Sequence, residues 1–325
     1  MKYLLRHLGL YLLAIWVSLT LNFLLPRTMP GSPVTALIGR MHGKFSPEQI
    51  EALKKAYGFT DAPVLQQYFA YLAHVITGDF GLSISAYPAK VSSIISTALM
   101  WTVLLGVVTL LLGFVLGTLL GVVVAWRRGG LLDSVLPSLF NFIGSFPYFF
   151  LAMLALFFLG FILKWFPMSH AYSDLLSPGW TWAFARSVAF HLVLPAGTVI
   201  LVSVGGWLIA MRSTMVAVLA EDYIVMAEAK GLPQWQVMFQ YAMRNAMLPN
   251  FTQFGMSIGF ILGGQILTEI VFSYPGLGFY LVRAVTAHDY PLMQALFLMI
   301  TLAILIANFA VDLLYVRLDP RVRTA

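Results

Sequence analysis

The sequence predicts an all-α polytopic membrane protein with six transmembrane helices and a small external subdomain after the first. Three observations carry this. The 325 residues are 60% hydrophobic and only 10% charged, against about 25% charged in a soluble globular domain. Mean hydropathy is +0.86, more apolar surface than one water-soluble core of this length can hide. The apolar residues also fall in long, continuous, charge-free runs, the pattern of spanning helices and not of barrel strands, whose residues alternate.

Six windows approach the roughly 20 apolar residues a membrane helix needs. They lie between Arg6 and Arg27, Lys90 and Arg127, Asp133 and Lys164, Arg186 and Arg212, Arg244 and Glu269, and Asp289 and Asp312. The first resembles a signal peptide in having Lys2 and Arg6 ahead of an apolar run. However, the stretch Leu8 to Leu25 is long for one and no Ala-x-Ala site follows, so it reads as a retained helix. In the fifth, Pro249 is expected to open the span.

Lys and Arg in the short loops set the orientation. Lys2, Arg6, Arg127, Arg128, Arg212, Lys230, Arg244, Arg317, Arg321 and Arg323 fall on one side, and only Lys164, Arg186 and Arg283 on the other. The positive-inside rule therefore places both termini in the cytoplasm. Trp126 at a cytoplasmic boundary, and Trp165, Trp180 and Trp182 near external ones, suit the interfacial preference of indoles. The same segregation explains the net charge of +6 without a nucleic-acid partner, since no basic run with interleaved aromatics exists. With no cysteine, disulfides, thiolate metal sites and a Cys nucleophile are excluded. His191 and His288 are isolated and lack ligand spacing.

Residues 28–92 have ordinary soluble character. Ser46-Pro47-Glu48-Gln49 reads as an N-cap, a first-turn proline and a capping-box glutamine, starting a helix that Gly58 stops. A second amphipathic helix is expected from Val64 to Ile76, before a turn at Gly78-Asp79-Phe80-Gly81. Within the spans, Gly113, Gly117 and Gly121 share one helix face, as do Gly255, Gly259 and Gly263, with Gly264 beside the last. Such faces favour close helix packing, or a smooth surface along a substrate route. Gln265 is expected either to face a polar pathway or to bridge helices, and Glu269, near the outer end of the fifth window, to be either a pathway residue or a hydrogen-bonded carboxylate at the membrane boundary.

The connection between the fourth and fifth windows is longer than two spans need. Asp222 followed by helix formers up to Lys230 predicts a short helix stopped by Gly231, and Gln234 to Met243 predicts a second. Presenting Ala227, Ala229 and Leu232, the pair is either a knob for a groove on another protein or an interfacial hairpin lying on lipid.

This loop resembles the cytoplasmic coupling motif of ABC importer permeases, Glu-Ala-Ala, three residues, Gly, and a downstream Leu-Pro. Ala227, Gly231 and Leu248-Pro249 match. Val225 and Met226 depart from it, as does the longer gap before Leu248. The run Tyr223 to Leu232 and Arg244-Asn245-Ala246 resemble the dipeptide/oligopeptide branch. So do Met29-Pro30-Gly31-Ser32-Pro33, Gly78-Asp79-Phe80-Gly81-Leu82-Ser83, the run Phe272 to Gly278, Asp289-Tyr290-Pro291, Asp312-Leu313-Leu314-Tyr315, and Asp319-Pro320-Arg321-Val322-Arg323.

The resemblance implies a type I ABC importer fold. Residues 1–27 are then the tail and first helix, 28–92 the external subdomain, 93–316 the transmembrane domain with its coupling loop at 221–249, and 317–325 a cytoplasmic tail. It implies a bacterial or archaeal inner-membrane location, and partnership with a homologous second permease, two ATPase subunits and an external substrate-binding protein. The ATPases would dock on Tyr223, Ala227, Glu228, Ala229, Lys230, Gly231, Leu232, Pro233, Leu248 and Pro249. ATP and Mg would belong to those subunits. This chain would bind no cofactor and hydrolyse nothing, and it has no Gly-x-x-x-x-Gly-Lys-Ser/Thr phosphate loop. Di- and oligopeptides are the expected cargo, oligosaccharides or nickel the alternative within the class. A lone channel or a membrane enzyme is the remote alternative. The sequence has no His-Glu-x-x-His, no Gly-x-Ser-x-Gly and no carboxylate pair inside the spans, and no evident inverted duplication.

Overall fold

The computed structural model describes residues 2–28, 62–258, 261 and 265–318. The expected helix from Ser46 to Gly58, the glycines Gly259, Gly263 and Gly264, and the tail beyond 318 lie outside the described residues. Those described form helices, with one isolated bridge between Leu82 and Lys90. By packing they form two compact units, Met1–Thr102 with Pro275–Ala325, and Val103–Tyr274.

The first unit holds α1 (Lys2–Thr28), α2 (Val64–Thr77), the start of α3 (Val91–Trp126), α11 (Leu277–Thr286) and α12 (Tyr290–Leu318). Helix α2 covers nearly the expected stretch and ends because Gly78 adopts φ 69°, a left-handed conformation that glycine reaches without a Cβ penalty. Helix α1 packs on α12 and α2. At that junction Asn22 donates to the Gln294 carbonyl at 2.7 Å and to the Tyr71 hydroxyl at 3.1 Å. Phe23 and Tyr68 meet edge-on at 5.2 Å. A fully buried Asp289 caps the start of α12 by accepting from Leu292 N–H. Its other oxygen accepts from the hydroxyls of Ser83 and Ser85 and from Ser85 N–H. One carboxylate thus pins the turn that follows α2 to the start of the last helix, and its buried charge is compensated by donors.

The second unit holds the rest of α3, α4 (Leu131–Gly144), α5 (Tyr148–Ala155) continuing in π-helical turns over Leu156–Ile162, and α6 (Trp182–Val218). It continues with α7 (Asp222–Ala229), α8 (Gln234–Gln236) with π-helical turns over Val237–Met243, α9 (Arg244–Ile258) and α10 (Ile266–Val271). The long helix α6 is the hub, packed by α4, α5, α9 and α10. The first glycine face meets it: a methyl group at Gly113 would come within 2.7 Å of Ser203 Oγ, at Gly117 within 2.7 Å of the Val204 carbonyl oxygen, and at Gly121 within 2.7 Å of the Leu208 carbonyl oxygen. Close helix packing is therefore the role of that face. Gly205 of α6, outside either glycine ladder, packs in the same way, since a methyl group there would come within 3.0 Å of the Phe140 carbonyl oxygen of α4.

All six windows contain helix. Helices α3 and α6 and the residues Tyr290–Phe309 of α12 are each long and apolar enough to cross a membrane, and α4 with α5 passes only as a pair bent by 91°. The single third span expected from Asp133 to Lys164 is therefore broken. Pro147 is the cause, since it biases Phe146 away from helical geometry and supplies no N–H. The fifth window also differs from expectation. Pro249 lies inside α9, which runs back without a break through the π-helical turns to Gln234. The missing N–H leaves the Asn245 carbonyl without its helical donor, tolerable because Asn245 is exposed.

Candidate functional site

The loop 221–249 is built from two short helices joined by one turn. Helix α7 starts after Glu221, with Asp222 in its first turn complementing the positive end of the helix dipole. It ends in a Schellman turn: Gly231 N–H reaches the Glu228 carbonyl at 2.8 Å and Leu232 N–H the Ala227 carbonyl at 3.4 Å. Gly231 takes φ 71° to make this closure. Pro233 then precedes α8, and the chain turns back to the membrane through α9.

The hairpin is seated on the spans by a buried apolar cluster. Ile224 and Ala227 of α7, Val237 and Ala242 of the π-helical turns, and Ala246 of α9 join Val122 and Ala125 of α3 and Met211 and Met215 of α6. Leu232 packs at its edge. Polar contacts complete the seat, with Asn245 donating to the Tyr223 hydroxyl at 3.1 Å and to the Tyr241 carbonyl at 3.0 Å. Beside it, Arg212 Nε donates to Asp133 Oδ1 at 2.5 Å, joining α6 to the first turn of α4.

Exposure divides the expected docking residues. Tyr223, Glu228, Ala229, Lys230, Gly231, Pro233, Leu248 and Pro249 are exposed, and Leu232 is half-buried. Ala227 is 2% exposed. The expectation that it is presented to a partner is corrected: it faces the spans, where the small side chain lets α7 approach α6. What the hairpin shows outward instead is an apolar step of Val225 and Met226, each 58% exposed. These are the two residues that depart from the general Glu-Ala pattern. The seating residues Met211, Met215, Val122 and Ala242 were not singled out from sequence. The i, i+3 spacing of Ile224 and Ala227 was the available signal, but Val225 and Met226 are equally apolar and blurred it.

The polar residues of the fifth window lie apart from this hairpin in sequence. Gln265 donates through Nε2 to Thr109 Oγ1 of α3 at 2.7 Å, both buried, so it bridges helices. Its Oε1 is buried with no protein partner, as is Thr268 Oγ1. Glu269 is 1% exposed on α10, and its backbone carbonyl accepts from Tyr274 N–H at 2.8 Å. Gly255 has open space where a Cβ would stand. Among the described residues no group of His, Cys, Asp and Glu could hold a metal ion.

Residues 117–324 match the family described as the inner membrane component of binding-protein-dependent transport systems. The chain is 35% identical over 322 residues to the dipeptide transport system permease protein DppB of Lactococcus lactis subsp. cremoris (strain MG1363), covering 99% of each. It is 32% identical over 325 residues to DppB of Bacillus subtilis (strain 168), covering 99% of this chain and 98% of the relative. Against DppB of Escherichia coli (strain K12) identity is 33% over 341 residues, with 99% of each covered.

Proposed function

Since this chain belongs to the binding-protein-dependent transport inner membrane components and is a membrane permease of the ABC importer class, we propose that it forms one half of a translocation pathway for di- and oligopeptides. A homologous second permease supplies the other half, an external binding protein delivers the cargo, and two ATPase subunits holding ATP and Mg drive the cycle. The chain sits in a bacterial or archaeal inner membrane with both termini in the cytoplasm. The cargo reading is supported by the dipeptide permease names of the relatives, each matched over nearly its whole length.

The hairpin 221–249 carries the coupling proposal. It is a knob seated by a buried cluster that includes residues of α3 and α6, and it presents an exposed step at Val225 and Met226. A partner groove closing on that step would push on the helices that hold it, because packed interiors transmit displacement more readily than they absorb it. Gly231 shapes the turn, and Glu228 and Lys230, both exposed, follow the step with opposite charges.

Co-expression of the chain with a second permease and the ATPases from the same source tests this. A Met226→Cys variant should cross-link to an ATPase subunit, and ATP hydrolysis by the reconstituted complex should rise with binding protein and a dipeptide. Recovery of the chain without these partners would overturn the coupling reading. Stimulation by an oligosaccharide or nickel, with none by peptides, would overturn only the cargo.

A further inference from the structure

An open groove of about 610 Å³ lies where α3 ends, lined by Val123, Trp126, Arg127, Gln234, Trp235 and Met238. Trp126 is the last residue of a helix apolar enough to cross the membrane, and Arg127 and Arg128 follow it. The groove therefore lies at the end of an apolar spanning helix, where indoles and basic residues follow one another as they do at a membrane boundary. Its lining is amphipathic, combining a guanidinium and an amide with two indoles, a valine and a methionine.

Arg127 has no acidic partner among the described residues. Asp133 is the acidic group nearest in sequence, and it is already engaged: one oxygen accepts from Arg212 Nε and the other from Gly129 N–H at 3.0 Å. Among the described residues no carboxylate forms an ion pair with Arg127, while Arg128 acts on Asp133 at longer range, and both arginines are exposed. Trp235 is 59% exposed beside them. In the isolated chain the indole and the guanidinium are both left to solvent. Under a lipid headgroup both are favourably placed, because indoles prefer the interfacial layer and the guanidinium fork matches phosphate oxygens.

We infer that this groove binds the headgroup of an anionic phospholipid, Arg127 holding the phosphate, Gln234 donating beside it, and Trp126 and Trp235 flanking the glycerol. Val123 and Met238 receive the first acyl carbons. A protein partner is the poorer fit, because the protruding feature of the hairpin is the step at Val225 and Met226 on α7, whereas the groove is a recess. The lipid bridges the end of α3 to the second helix of the hairpin, so it stiffens the element proposed to receive the ATPase. The inference does not depend on that proposal or on the cargo; it requires only that the chain sit in a bilayer.

Native mass spectrometry of the full chain, released from detergent with phosphatidylglycerol or phosphatidylcholine, tests it. Phosphatidylglycerol should be retained in preference, Arg127→Gln should lower its retention roughly fivefold, and Arg127→Lys should keep most of it. Arg283→Gln, which removes a charge elsewhere, should change nothing, and Trp235→Ala should weaken retention without touching charge. Equal retention of the two lipids, or equal loss in Arg283→Gln, overturns the inference. So does displacement of the lipid by inorganic phosphate at matched concentration, which marks a free-anion site. An Arg127→Gln protein that keeps its lipid but no longer captures the ATPase would overturn it in favour of a protein-docking groove.

Discussion

Ala227 and Met211 lie in the same buried cluster, the first on the short helix α7 and the second on the spanning helix α6, at 2% and 0% exposure. The coupling-motif alanine is thus a spacer between helices. Ala227→Leu adds methylenes to a filled site and is expected to cost about 1–3 kcal/mol, read as a lowered thermal midpoint of the purified chain. Met226→Leu on the exposed step should leave the midpoint within experimental error. Equal effects of the two would show that Ala227 does not face the spans.

Gly231 separates conformation from contact. A Cβ there meets nothing within 4 Å, yet φ is 71°. Gly231→Ala is therefore expected to cost about 1 kcal/mol from backbone strain alone, and Gly231→Asn less, since asparagine tolerates the left-handed region. Chemical denaturation in detergent would rank the three. A large loss in both variants, without the Asn advantage, would point to a steric contact instead.

The Gly117 and Gly121 faces leave no room for a side chain. Val at either position would collide with backbone oxygens of α6 at 2.7 Å, so neither helix can yield by rotating a side chain away. Both variants should express poorly or fall several degrees in thermal midpoint. Gly255→Val, on open space, should be tolerated in folding. Its effect on transport then reports separately whether that face lines a route.

The Arg212 to Asp133 pair links α6 to α4 at the membrane boundary with side chains 33% and 9% exposed. Partial exposure limits its worth. A double-mutant cycle with Arg212→Gln and Asp133→Asn should return a coupling of roughly 0.5–1 kcal/mol, shrinking with added salt. A coupling near zero at low salt would mean that the contact is incidental.

Much of the architecture was legible without coordinates because the bilayer imposes a one-dimensional rule. Spans must be long, apolar and helical, and hydropathy along the chain reads them directly. Local chemistry was equally legible: Gly78 and Gly231 as helix stops, and Asp222 as a helix start, follow from backbone sterics and the helix dipole. The Pro147 break was less so. Hydropathy is blind to direction, so two helices bent by 91° look like one run.

What only the tertiary structure decided is which face each element turns inward. Ile224, Val225, Met226 and Ala227 are all apolar in sequence, yet the first and last are buried and the middle two exposed. That choice depends on where Val122, Met211 and Met215 stand, on helices about 100 residues and less than 20 residues earlier in the chain. Gln265 likewise pairs through Nε2 with Thr109 of α3, a pairing no local pattern encodes. The sequence alone determined that there are membrane helices and that an unusually built loop joins two of them. Packing decided that the loop's motif alanine seats the knob and that Val225 and Met226 form its outer step, because burial belongs to pairs of surfaces and not to a residue by itself.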